Sequence, residues 1–206
     1  VAKDMSLVRA ILVWATIVTV VGLPIYAAST SRLLAWRDPI YIGAGFAGVA
    51  AMALMLLQPL LAGGYLPGLR AYRGRRVHRW TGGMLVLMVV LHVAGLFITS
   101  PPDVIDALLF ASPTPFSSWG VAAMSALFAT ALLVALRRRF HRRLRLWRVG
   151  HTTLAVVIVV GSAVHAMLVE GTMETISKGV LCASVLIATA KVVIDLRVWA
   201  KRKASR

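Results

Sequence analysis

Acidic residues and cysteine are nearly missing from this chain. Seven Asp and Glu stand against 23 Lys and Arg in 206 residues, a formal net charge of +16 with histidine neutral. Such a surplus raises nucleic acid as a partner, yet 59% of the residues are hydrophobic, only 15% are charged and the mean hydropathy is +0.82. A soluble domain of this length could not hide that much apolar surface in one core, which excludes a soluble enzyme and a nucleic-acid-binding protein alike. The single cysteine, Cys182, falls inside an apolar stretch; it offers neither a disulfide nor a thiolate metal site and reads as a small packing residue. A Gly-rich phosphate loop, a solenoid repeat and a low-complexity tract are also missing. The expectation is a single membrane domain over residues 1–206 without a soluble flavin or nicotinamide domain.

What is present is a set of six apolar stretches, each long enough to cross roughly 30 Å of hydrocarbon as a helix. They fall at 7–28, 40–63, 77–99, 118–136, 150–169 and 177–199. The fold class is therefore all-α, a polytopic six-helix bundle. The first stretch follows Lys3 and Arg9 and runs into Ala27 and Ala28, but it is too long for the apolar region of a signal peptide. Pro24 is expected to kink it near its far end. Gly43, Gly45 and Gly48, interleaved with Ala44, Ala47 and Ala51, mark the second stretch as a close-packing surface.

Charge sorts the loops. Six spans put both termini on one side, which then carries Lys3, Arg9, five arginines from Arg70 to Arg79, seven from Arg137 to Arg148 and six Lys/Arg from Lys191 to Arg206. The other side receives Arg32, Arg37 and Lys178 together with Asp38, Asp103, Asp106, Glu170 and Glu174. The positive-inside rule makes both termini cytoplasmic, in the plasma (bacterial inner) membrane, with anionic lipid as the first partner.

Four of the five histidines form two matched pairs: His78 and His92 on the third span, His151 and His165 on the fifth. Each pair is separated by 14 residues, which is about 3.9 turns and about 21 Å of rise, so both imidazoles leave nearly the same face of their helix. The two spans run in the same direction, so the pairs meet level by level. Two imidazoles opposed across a gap are what a six-coordinate b-type haem requires, and two levels imply two haems between the third and fifth helices. Zinc competes poorly, because it wants about four converging ligands and neither level offers an acidic or thiolate partner. A hydrogen-bonding packing role would explain one such histidine; it does not explain four at one spacing. Gly82, Gly95, Gly150 and Gly161 lie within about a turn of the histidines, where a porphyrin needs missing side chains. Arg75, Arg76, Arg79 and Arg148 flank the inner pair; Arg79 and Arg148 are the expected partners of haem propionates, and Arg32 and Arg37 are the outward candidates. His141, in the run RRRFHRRLRLWR, reads as solvated.

The segments RRVHRWTGGMLVLMVVLH and WRVGHTTLAVVIVVGSAVH resemble the ferric reductase-like transmembrane domain, the six-helix haem core of ferric reductases, NADPH oxidases and the MsrQ haem subunit. The resemblance implies that His78 with His151 ligates an inner haem and His92 with His165 an outer one. It also implies an oxidoreductase component that carries electrons from a reductase or flavoprotein donor, or from quinol, to an extracytoplasmic acceptor, with FMN or quinone as a further cofactor left open. An MsrQ-like subunit serving a periplasmic methionine sulfoxide reductase, a direct reductase of ferric chelates or oxygen, and a transporter or structural subunit without redox work are the alternatives. The outer segment DVIDALLFASPTPFSSW carries no metal-binding cluster, which weighs against a dedicated iron site.

Overall fold

A computed structural model describes residues 2–69, 71–140, 143–171 and 173–196. His141 and the basic residues from Arg197 onward lie outside these. Seven α-helices account for most of the described chain: α1 (Ala2–Ser29), α2 (Pro39–Ala62), α3 (Ala71–Thr99), α4 (Pro101–Leu108), α5 (Pro115–Ala135), α6 (Leu144–Leu168) and α7 (Thr175–Asp195), with short 3-10 turns at Arg32–Leu34 and Leu136–Phe140. Six of them, all but α4, are long and apolar enough to span a membrane. The described residues contain no strand.

The spans fall where hydropathy puts them, with one systematic difference. α1 begins five residues before its apolar stretch, at Ala2, and α3 and α6 each begin about six residues before theirs, at Ala71 and Leu144. Arginine is a good helix former, so the helix continues after the apolar run has ended. Those extra turns carry Arg73, Arg75 and Arg76 on α3, and Arg145, Trp147 and Arg148 on α6. α1 runs unbroken through Pro24, whose ring is fully buried. Between α3 and α5 the chain forms the short helix α4, opened by Pro101 and Pro102, whose missing N–H groups cost nothing in a first turn.

Acidic residues at the acidic ends of the spans work as caps. Asp38 accepts from the backbone N–H groups of Ile40 (2.7 Å) and Tyr41 (3.4 Å) to start α2. Glu174 accepts from Ile176 and Ser177, both at 2.7 Å, to start α7. A carboxylate at a helix N-terminus meets both unpaired amides and the positive end of the dipole, and these amide bonds hold the Glu174 carboxyl below its usual range. At the other end Tyr65, in the α2–α3 connection, donates its hydroxyl to Asp195 at the end of α7. Lys191 also binds Asp195 at 2.9 Å and lies over the Tyr65 ring at 5.1 Å.

Helix packing is strongly paired. α2 lies along α3, α5 lies along α6, and α7 packs on α2 and α6, while α1 packs mainly on α7 and α2. α3 and α6 are not in extensive contact. The buried core joins α2 (Ala51, Met52, Met55, Leu56), α5 (Ala126, Leu127), α6 (Ile158, Val159, Ala163) and α7 (Leu181, Cys182, Val185), with Leu85 the contribution of α3. Cys182 is thus a packing residue in that core. Lys178 is 6% exposed, its ammonium donating to the Val169 carbonyl at the C-terminus of α6 at 2.8 Å.

Candidate functional site: two tiers of opposed histidines

The seam between α3 and α6 holds the four histidines in the two tiers that their spacing requires. His78 faces His151 with ring centres 6.3 Å apart, and His92 faces His165 at 6.5 Å. Both pairings in one structure make α3 and α6 parallel and put their arginine-rich N-terminal turns at the same end. The 14-residue offset separates the tiers by about 21 Å. Leu85 and Ile158 lie seven residues from both histidines of their own helix, hence on nearly the same face, and both are buried in the common core. They close the seam between the tiers.

What holds three of the four imidazoles comes from the neighbouring helix. His92 Nδ1 donates to the Ala44 carbonyl of α2 at 2.8 Å, and His165 Nδ1 donates to the Phe116 carbonyl of α5 at 2.8 Å. His78 Nδ1 donates to the Gln58 carbonyl at 3.3 Å. Gln58 lies 14 residues after Ala44, so α2 presents carbonyls at the same interval at which α3 presents histidines. Gln58 also reaches across to the Thr81 hydroxyl at 2.8 Å. A carbonyl on Nδ1 fixes the tautomer and leaves Nε2 as the free donor of a lone pair. Among the described residues, no Nε2 atom of the four finds a hydrogen-bond partner.

The glycines divide into two groups that sequence reading did not separate. A Cβ at Gly48 would come within 3.0 Å of His92 Nδ1, and one at Gly120 within 2.7 Å of His165 Nδ1. Each of these glycines lies one turn after the residue whose carbonyl anchors that histidine. Gly48 therefore belongs to the site and not merely to a packing stripe. Gly95 and Gly161 instead bring helices together: a Cβ would stand 2.7 Å from the Ala44 Cβ and 3.1 Å from the Ala123 Cβ respectively. The nearest neighbours of Gly82 and Gly150 are Gln58 and Leu133 of the adjoining helices. All four of the glycines near the ligands in sequence thus face α2 or α5, and the two that accommodate the imidazoles lie elsewhere in the chain.

Arg79 and Arg148 are exposed at the His78/His151 end, the former directly after His78 and the latter three residues before His151. Arg37 is held over the Tyr41 ring at 5.2 Å. Among the described residues no group of three or more His, Cys, Asp or Glu converges as a metal cage, so each tier offers two imidazoles.

Two such donors suit an iron that already has four equatorial nitrogens. A metal–imidazole bond of about 2.0 Å plus roughly 1.1 Å from nitrogen to ring centre places two axial rings about 6.2 Å apart. The observed 6.3 and 6.5 Å match that distance.

Six membrane-length helices and two tiers of facing imidazoles, three of the four bonded to a backbone carbonyl, define a polytopic helical membrane protein with paired histidines in one seam. The family model for the ferric reductase like transmembrane component matches residues 44–162, more than half of the chain, and the protein belongs to that family. The match takes in His78, His92 and His151 and ends three residues before His165. No curated protein and no solved structure matches the chain.

Proposed function

We propose that the protein is a transmembrane electron carrier that holds two b haems, one ligated by His78 and His151 and the other by His92 and His165. The observation that carries this reading is the pair of ring separations, each that of an axial ligand pair, with every Nε2 left free. Haem supplies reversible one-electron chemistry when bound. The chain's own part is to fix the imidazoles through the Ala44, Gln58 and Phe116 carbonyls, to keep the tiers apart with Leu85 and Ile158, and to surround them with apolar side chains. Arg79 and Arg148 lie where propionates of the basic-end haem would need cations.

The excess of arginine at the His78/His151 end supports a cytoplasmic location for that end and for both termini. Electrons then pass from a cytoplasmic reductase or flavoprotein, or from quinol, to an acceptor on the opposite face. A periplasmic reductase supplied by this chain is one form that acceptor would take. Purified protein should give close to two haems b per chain by pyridine haemochrome assay, and His92→Ala should remove about one. A colourless preparation would end the proposal.

A further inference from the structure

Three of the four imidazoles are anchored alike and one is not. On α2 the acceptor carbonyls of Ala44 and Gln58 repeat at the histidine interval. On α5 the Phe116 carbonyl serves His165, and its counterpart 14 residues on is Thr130. His151 makes no such bond: its Nδ1 is buried without a partner.

In the place of that bond stands an aromatic stack. Trp147, one turn before His151 on α6, lies parallel to the imidazole with ring centres 5.2 Å apart and 10° between planes. The indole is fixed on both sides, its Nε1 donating to the Leu133 carbonyl at 3.1 Å and the Arg137 guanidinium lying over its ring at 5.0 Å. At the equivalent position before His78 the chain has Gly74. The stack is therefore particular to His151.

We propose that Trp147, backed by Arg137, is a positioning residue that sets the plane of the His151 imidazole in place of a backbone hydrogen bond. His151 is consequently the one ligand whose donor strength is not raised by an Nδ1 bond. The inference rests on the haem reading above. It gives the basic-end haem two unlike axial ligands, one bonded at 3.3 Å and one stacked, where the other haem has two alike at 2.8 Å.

The test uses the full holoprotein in detergent, oxidised, with low-temperature EPR of the low-spin ferric signals and haemochrome counts on the same samples. Trp147→Ala should shift or broaden the largest g value of one haem while the other keeps its wild-type line, or should lower the count from two haems to one. Trp147→Phe, which keeps the stack and loses the indole N–H, should restore the wild-type line and count. Unchanged spectra in Trp147→Ala, equal changes in both haems, or a Trp147→Phe protein as altered as Trp147→Ala would each overturn the inference. A wild-type protein without haem would instead sink the functional reading, so the two failures are distinguishable.

Discussion

Of the glycines packed against the paired histidines, Gly120 leaves the least room. Adding one methyl there puts carbon 2.7 Å from His165 Nδ1 and 2.9 Å from its Cε1. Ordinary contact requires the ring to retreat by roughly 0.7 Å, away from α5 and so away from the Phe116 carbonyl one turn earlier. The bond now at 2.8 Å would stretch toward about 3.5 Å, where little of it remains. Loss of a neutral hydrogen bond costs about 1 kcal/mol and overpacking about 1–3 kcal/mol more. Together these are about 2–4 kcal/mol, a factor of roughly thirty to several hundred in haem retention. Gly48→Ala, whose closest approach is 3.0 Å, should cost much less. The assay is haem transfer to excess apomyoglobin from detergent-solubilised protein, read as two phases. Gly120→Ala should accelerate one phase by that factor and leave the other alone, with Gly48→Ala showing a smaller acceleration. Wild-type rates for both phases in Gly120→Ala would refute the anchoring described for His165.

Other perturbations follow from the same contacts. Lys178→Met removes the cation that satisfies the Val169 carbonyl, one turn beyond His165, and should lower thermal stability in detergent by about 1.5–3 kcal/mol; an unchanged melting temperature would show that the buried ammonium holds nothing. Leu85→Ala and Ile158→Ala open a cavity between the tiers and should each cost about 2–5 kcal/mol in the same assay, whereas Leu87→Ala, on an exposed face of α3, should cost far less. Partial desolvation and then the hydrogen bond to Asp195 raise the Tyr65 hydroxyl above its ordinary 10.0. A raised folded value means that the tie between the α2–α3 connection and α7 is fully present below pH 10 and is lost as pH climbs through the higher value. The difference in tyrosinate absorbance between wild type and Tyr65→Phe should therefore titrate above pH 10, and a midpoint at or below 10 would contradict the bond.

The spans and the four histidines were legible because hydropathy and helical period act on every residue of a membrane helix. Hydropathy alone stopped short at the starts of α3 and α6, where arginine ends the apolar run but not the helix. That is where Trp147 lies, so neither hydropathy nor histidine spacing points to its stack on His151. The acceptors on Ala44, Gln58 and Phe116 were illegible for a different reason: any residue supplies a carbonyl, and which one meets a histidine depends on how two helices pack. Gly48 and Gly120 follow from those acceptors and could be found only after them. Glycines near the histidines in sequence were a misleading guide, because a helix turns such neighbours toward α2 or α5 as readily as toward the seam. Lys178 counted as an outward charge by topology, yet it is buried as the cap of α6.

Transfer of charge across sealed proteoliposomes tests most directly whether the two tiers form one conducting path. Vesicles loaded with an impermeant reductant and bathed in ferricyanide should discharge rapidly when wild-type protein is present. They should fall to the rate of protein-free vesicles when either tier is broken, by His78→Ala or by His92→Ala. Discharge by wild type no faster than by empty vesicles, or equal discharge by both variants and wild type, would contradict it.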